Sequence, residues 1–281
     1  DIDPLTFNIS IDKLEEKLSF AEKEGKLPKV IIPVHLCGQP SDMFAINKLS
    51  LKYGFKVIED ASHAIGGKYK NNPIGCCDYS DITVFSFHPV KIITSGEGGM
   101  AVTNSKELDR KMRLYRSHGI TNNAADIEIR PQDELWNYQQ IDLGFNYRMT
   151  DIHAALGLSQ MNRLDEFVSK RHDIANSYEN KLAHLPLKTP FQDKDGYSAF
   201  HLYVIRLNLD KIKKTQLQVY RELYDSGIHV NLHYIPVHRQ PYYENLGFKK
   251  GYCQESESYF KEALSLPMYP LLTEAQQDRV V

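Results

Sequence analysis

Between Ile11 and Thr103 the apolar residues change period repeatedly, and that alternation is the strongest constraint on the fold. Helical spacing over Ile11 to Ala21 gives way to the continuous run Val30-Ile31-Ile32-Pro33-Val34. A helical stretch from Asp42 to Tyr53 leads to Phe55-Lys56-Val57-Ile58, and the runs Ile82 to Ser86 and Met100 to Thr103 follow. Short apolar strands separated by helices predict an α/β domain around a mostly parallel sheet, with ligand sites beyond the carboxyl ends of its strands. Ser105, Glu107 and Asp109 ahead of Met112, Leu114 and Tyr115 predict a capped helix closing near Gly119. Thr121 to Gln140 has weak periodicity and reads as a long excursion. Thr150-Asp151 caps a helix through Ala154, Ala155, Leu158 and Met161, and a longer helix from Leu164 to Leu182 is placed to link two domains. After the turn-rich Pro186 to Gly196, a strand at Leu202 to Leu207, a helix from Thr215 to Tyr224, a strand near His229 to Leu232 and a terminal helix pair predict a smaller α+β domain. The expected division is a large domain with its linking helices over 1–183 and a small domain over 184–281.

With 34 Lys+Arg against 36 Asp+Glu the net charge is -2, so the chain lacks the basic footprint of a nucleic-acid binder or a polybasic membrane contact. A small-molecule partner is the expectation. Cys37, Cys76, Cys77 and Cys253 form no CxxC pair and no zinc-finger spacing. No metal is expected, and reduced thiols suit a cytoplasmic protein. No apolar stretch in the sequence reaches the length of a bilayer span.

Two segments carry candidate chemistry. Glu59-Asp60-Ala61-Ser62-His63-Ala64-Ile65-Gly66 sets an acidic pair at the end of an apolar strand. Such an Asp can oppose a cationic ring nitrogen at the floor of a cleft, or simply cap the next turn. The next strand ends in Ser86-Phe87-His88-Pro89-Val90-Lys91, followed by Thr94-Ser95-Gly96-Glu97-Gly98-Gly99. A lysine there can be partly desolvated and made nucleophilic, with the Ser86 hydroxyl and nearby amides free to hold a phosphate. As a solvated surface lysine beside a glycine turn it would do neither. The glycine run is no Walker loop, lacking GK[ST], and no dinucleotide fingerprint, lacking the GxGxxG spacing.

In order along the chain, Asp60 to Gly66, Ser86 to Lys91, Gly96-Glu97-Gly98-Gly99, Arg116-Ser117-His118-Gly119, and Leu143-Gly144-Phe145-Asn146-Tyr147-Arg148-Met149 with Ala154-Ala155-Leu156-Gly157 resemble the sugar aminotransferases of the DegT/DnrJ/EryC1/StrS family. His233-Tyr234-Ile235-Pro236-Val237-His238 and Leu264-Ser265-Leu266-Pro267 extend the resemblance over essentially the whole chain. It implies a fold-type I transferase dependent on pyridoxal 5'-phosphate. Lys91 matches the lysine that carries the cofactor and shuttles protons, Asp60 the partner of the pyridine nitrogen, and Ser86 a ligand of the cofactor phosphate. His63 stands where many members have a glutamine near the ring hydroxyl. Asn146 matches an asparagine reaching the phosphate of the neighbouring subunit, which implies a homodimer with shared active sites. Members with histidine in place of the lysine catalyse a dehydration instead, so Lys91 points to transamination.

The segments Arg116 to Gly119, Trp136-Asn137-Tyr138, LGFNYRMTDIHAALGLSQ and HYIPVH look most like the branch that makes UDP-4-amino-4,6-dideoxy-N-acetyl-β-L-altrosamine, a pseudaminic acid precursor. The implied substrates are a UDP-linked 4-keto-6-deoxy-N-acetylhexosamine and L-glutamate. His233, Tyr234 and His238 are candidates for the sugar-nucleotide pocket, or else packing residues between lobes. Arg148 is a substrate contact or a helix-end partner, and His88 a substrate contact or a support for the Lys91 loop. The alternatives are a C4 aminotransferase for a perosamine-type or bacillosamine-type precursor, a non-catalytic sugar-nucleotide-binding relative, and a lysine Schiff-base enzyme without pyridoxal, such as an aldolase. Relatives carry a Gly-Thr/Ser helix start upstream of the region matching Asp1, so the resemblance further implies an absent N-terminal portion, poor cofactor binding, an incomplete sheet edge and an end inside the final helix.

Overall fold

The computed structural model describes residues 1–123, 125–127, 134 and 136–281, so part of the 121–140 excursion lies outside the described residues. The first half contains α1 (Ile11–Lys23), β1 (Val30–Ile31), α2 (Met43–Tyr53), β2 (Lys56–Asp60), β3 (Lys68–Tyr69), β4 (Asn72–Pro73), β5 (Ile82–Ser86), β6 (Gly99–Val102) and α3 (Lys106–Tyr115). Then come β7 (Ile120–Thr121), β8 (Gln139–Gln140), α4 (Asp151–Met161) and α5 (Leu164–Leu182). The remainder holds β9 (Leu187–Lys188), β10 (Gly196–Tyr197), β11 (Tyr203–Leu207), α6 (Gln216–Asp225), α7 (Pro241–Asn245), α8 (Gln254–Glu262), β12 (Ala263–Leu266) and α9 (Glu274–Val280).

Helix starts follow the expected chemistry. Ser10, Asp42, Ser105 and Thr150 each accept a backbone N–H from the first turn of α1, α2, α3 and α4. The main sheet has the order β1-β2-β5-β6. β1, β2 and β5 run parallel, while β6 folds straight back antiparallel on β5. The expected strand at Val30 to Val34 pairs only over Val30–Ile31, with an isolated bridge from Val34 to Asp60. Pro33 has no N–H to give the ladder, and its carbonyl instead accepts from Asp60 N at 2.9 Å.

One face of this sheet is closed. Val57, Glu59, Thr83 and Phe85 are buried, and Val57 and Phe85 share a core with Leu14 and Leu18 of α1 and Ile46 and Leu49 of α2. The intervening residues Ile58, Asp60, Val84 and Ser86 face the other way and are less covered, as strand alternation requires. A second core gathers Tyr203, Ile205, Leu264 and Leu266 around the antiparallel sheet β12-β11-β9. α5 enters both cores, with Val168 in the first and Ile174, Tyr178 and Leu182 in the second, a single stripe at helical spacing.

Two details of the second half depart from expectation. Near His229 to Leu232 there is only an isolated bridge, Asn231 to Ser265. The terminal helices are separated by β12, which pairs along β11 from Tyr203 to Arg206. A short apolar run has no period of its own to distinguish strand from helix, and the neighbouring β11 decides it.

Candidate active site

β2 and β5 lie side by side and parallel, so their last residues, Asp60 and Ser86, emerge at the same edge of the sheet. Strand alternation separates the acidic pair, sending Glu59 behind the sheet and Asp60 to the open side. The Asp60 backbone is fixed on both sides, its N–H donating to Pro33 O and its carbonyl accepting from His35 N at 3.0 Å. Its carboxylate Oδ1 accepts from Ser62 N at 3.0 Å, while the second oxygen accepts no hydrogen bond among the described residues.

Lys91 lies in the turn after β5, half-buried, with its backbone N–H donating to His88 O. Among the described residues its amine forms no ion pair. Burial lowers its proton affinity from the usual lysine range, with the Asp60 charge acting in the opposite direction. Ser86 Oγ accepts a long 3.4 Å contact from His88 N, which leaves its own proton free to be donated. The glycine loop closes over this edge. At Gly98 a Cβ would fall 2.5 Å from Met149 Cε and 2.6 Å from Ser95 Oγ, so the segment leading into α4 packs directly on the loop.

His63 is buried beside Asp60. Its Nδ1 accepts from Cys37 N at 3.3 Å, and its ring lies 4.4 Å from that of His201 and 6.4 Å from that of Tyr234. Burial first, then the Lys91 charge, pushes His63 down to about 4. His233 is lowered by burial and Lys91 as well, and its Nδ1 meets Ser265 Oγ at 2.7 Å. Thus Asp60, His63, Lys91 and His233 share one electrostatic neighbourhood. A mostly apolar cavity of about 460 Å³ opens beside it, lined by Asp60, Ser62, His63 and Tyr234 together with Ile32 and Val34. Lys91 borders this neighbourhood without lining the cavity. Two other cavities, of about 450 and 740 Å³, contain neither Asp60 nor Lys91.

Other expected residues lie apart. His238 does not line the cavity; it is buried against Glu257, with Nε2 to Oε1 at 2.9 Å, and the same oxygen accepts from Gly251 N. His88 is exposed, 4.0 Å from Glu97. Asn146 and Arg148 are exposed, and Asn146 contributes a backbone bridge to Ser117. Neither has a side-chain hydrogen bond among the described residues. His35, Cys37, His201 and Arg171 escaped sequence reasoning. A buried histidine three residues into a loop, or just ahead of an apolar strand, carries no local signal.

The donor set fits pyridoxal phosphate. It offers an amine of reduced proton affinity for the aldehyde, a carboxylate with an unpartnered oxygen for the ring nitrogen and an undirected hydroxyl with an adjoining glycine turn for the phosphate. Comparison with known proteins agrees. The profile of the DegT/DnrJ/EryC1/StrS aminotransferase family matches residues 1–281. The chain is 37% identical to the spore coat polysaccharide biosynthesis protein SpsC of Bacillus subtilis (strain 168), over all of this chain and 70% of that one. It is 35% identical to the UDP-4-amino-4,6-dideoxy-N-acetyl-beta-L-altrosamine transaminase of Campylobacter jejuni, over 93% of this chain and 65% of that one. It superimposes on PseC of Helicobacter pylori, described as an aminotransferase involved in the biosynthesis of pseudoaminic acid. The TM-score is 0.86 at 29% identity, covering 99% of this chain and 70% of that one.

Proposed function

This chain belongs to the DegT/DnrJ/EryC1/StrS aminotransferase family, and from that premise we propose a specific reaction. It moves the amino group of L-glutamate to the C4 keto carbon of a UDP-linked 4-keto-6-deoxy-N-acetylhexosamine. That it is a sugar aminotransferase dependent on pyridoxal phosphate stands on the family itself. The finer substrate assignment is supported by the similarity to the altrosamine transaminase and to PseC, and it would place the product in pseudaminic acid or surface polysaccharide synthesis.

The observation that carries the assignment of the site is Lys91, half-buried, without an ion pair among the described residues and within the field of Asp60. Pyridoxal phosphate, when bound, supplies an electron-withdrawing ring that accommodates the electron pair left when the donor's α-carbon loses its proton. Asp60 offers its free carboxylate oxygen to a protonated ring nitrogen and so holds that proton in place. The Lys91 amine, unprotonated more readily than an exposed lysine, anchors the cofactor, takes the α-proton and returns it. The Ser86 hydroxyl donates to a phosphate oxygen, and Tyr234 lines the cavity left for the sugar, with the His233 ring packed against the Tyr234 ring.

A homodimer with shared sites is part of the same proposal. Leu143, Phe145, Tyr147, Ile152 and Leu158, which flank Asn146 and Arg148, are all exposed, Leu143 by 83% and Ile152 by 82%. An apolar strip of this kind suits coverage by a second copy, which would bring Asn146 to the partner's phosphate site. α5, feeding both cores, supports two lobes over 1–183 and 184–281. Four unpaired thiols and a nucleotide-linked substrate support a cytoplasmic location. Among the described residues no helix is long and apolar enough to cross a membrane.

The test combines borohydride trapping of pyridoxal phosphate on Lys91 with a panel of keto-sugar nucleotides, read by mass spectrometry. A Lys91 adduct and amination at C4 of the UDP-linked substrate are expected. An adduct at some other lysine would overturn the site. Preference for a perosamine-type or bacillosamine-type precursor would overturn the substrate.

A further inference from the structure

His63 is held from behind by a chain of hydrogen bonds that starts at a buried cation. Arg171 of α5 is 4% exposed, and among the described residues no carboxylate pairs with it. Its Nη1 donates instead to three carbonyls, those of Phe200 at 2.9 Å, His201 at 3.1 Å and Met268 at 3.1 Å. The backbone N–H of His201 donates to Cys37 O at 2.9 Å, and the N–H of Cys37 donates to His63 Nδ1 at 3.3 Å. Cys37 makes both contacts from a left-handed conformation, φ 60° and ψ 2°, which a residue with a Cβ adopts only when its surroundings hold it there.

The chain has a direction, and the direction fixes a proton. An amide N–H can only donate, so the Nδ1 it meets carries the lone pair and the His63 proton is on Nε2. The ring of His201 backs His63, and its own Nδ1 is buried without a partner among the described residues. An N–H buried there without an acceptor would cost more than a lone pair, so the His201 proton too belongs on Nε2.

We propose that Arg171, acting through the Phe200–His201 backbone and Cys37, is a positioning residue that fixes His63 as a neutral donor with its Nε2–H available to the cavity beside Asp60. The charges around His63 agree with this. Lys91 and His233 oppose a proton on the ring, and Asp60 favours one. Gaining a proton on Nδ1 would also expel the Cys37 amide. What the Nε2–H meets rests on the proposed function, in which it faces an acceptor oxygen of the bound cofactor or sugar. The protonation state itself does not rest on it.

The experiment is NMR of the full chain with nitrogen-15 histidine, the His63 signals assigned by their loss in His63→Gln. Wild type is expected to show the Nε2–H tautomer from pH 5 to 8 without titration in that range. Arg171→Met, which keeps bulk and removes the donors, is expected to mix the tautomers and raise the titration midpoint by about one unit or more; Arg171→Lys should restore part of the wild-type signature. A folded Arg171→Met with wild-type His63 signals would overturn the proposal. If Arg171→Met does not fold, wild type still decides, because an Nδ1–H tautomer or titration near the ordinary histidine value would overturn it. Borohydride trapping on the same samples separates the two ideas. A missing Lys91 adduct counts against the cofactor assignment, whereas mixed His63 tautomers in wild type count against the positioning chain.

Discussion

Glu59 and Asp60 are neighbours on one strand, and they end in opposite circumstances. Behind the sheet Glu59 is 4% exposed, and both oxygens are engaged. Oε2 receives His35 Nε2 at 2.8 Å, and Oε1 receives the hydroxyls of Ser80 and Thr83. Ser41 N donates to His35 Nδ1, so the His35 proton sits on Nε2, aimed at Glu59. Burial would raise the Glu59 carboxyl, yet the hydrogen bonds from His35, Ser80 and Thr83 outweigh it and hold the group below the usual carboxylate range. On the open side Asp60 accepts one backbone N–H and leaves an oxygen beside a cavity. A carboxylate whose bonds are all made within the chain serves the fold. One left short at the carboxyl end of a parallel strand has capacity for a ligand.

The sharpest way to break this contrast is to remove the chemistry assigned to the open side. Lys91→Ala is expected to lower turnover by about 1,000-fold or more while leaving the urea midpoint nearly unchanged. Turnover within tenfold of wild type would move the reaction elsewhere. Next in size is the pH dependence of stability, which should separate the two sides. The fold keeps His63 neutral, at about 4, while the unfolded chain takes the proton at 6.5. Below 6.5 the unfolded state binds more protons, so stability falls as pH falls, by about 3 kcal/mol for this shift. His201, pushed down by burial and the same neighbours, adds in the same direction. Glu59 is lowered from 4.5, so the stability it contributes is intact above 4.5 and lost only as pH falls further. Urea midpoints measured from pH 7.5 to 3.5 should therefore show loss at the open side first. His63→Gln should flatten the slope between 6.5 and about 4 and leave the loss below 4 in place; an unchanged slope above 4.5 would count against the buried neutral histidine.

A pair of conservative changes then tests the contrast within two adjacent residues. Glu59→Gln turns an NH₂ toward groups that are themselves donors and should cost about 2 kcal/mol of stability. Asp60→Asn should cost less than about 0.5 kcal/mol, yet reduce kcat/KM by about 100-fold, since it removes the charge meant for a ring nitrogen. Equal destabilisation by both, measured by urea unfolding, would erase the distinction between a fold carboxylate and a site carboxylate.

Much of this frame was legible in the sequence. Period changes located α1, α2, β2 and β5, the caps Ser105 and Thr150 marked the starts of α3 and α4, and Asp60 and Ser86 were readable as strand ends. What escaped depends on contacts between distant segments. Nothing in Gly99 to Val102 announces that β6 turns back antiparallel, because a four-residue apolar strand has no intrinsic direction. His238 read as a pocket candidate from its motif, and only the arrival of α8 gives it Glu257. Cys37, Arg171 and His201 act through backbone groups joined across the fold, and backbone groups carry no sequence signature. The local pattern specifies elements and their ends; the partners of a polar atom are set by topology.

The smallest expected effects come from two hydroxyls on β5 that strand alternation turns to opposite faces. Thr83 is fully buried and donates to Glu59 at 3.0 Å, so Thr83→Val should cost about 1 kcal/mol of stability and leave the affinity for pyridoxal phosphate unchanged. Among the described residues the Ser86 hydroxyl makes only the long contact from His88 N, so Ser86→Ala should leave stability within about 0.5 kcal/mol. In exchange it should weaken cofactor binding by about five- to tenfold, the worth of one hydrogen bond to a charged phosphate. Spectrophotometric cofactor titration beside urea unfolding measures both quantities on both variants. Three residues apart on one strand, Thr83 and Ser86 differ chiefly in which face they occupy. If each change moved both quantities equally, the sheet would not divide structure from chemistry, and the open side of Asp60 would need another explanation.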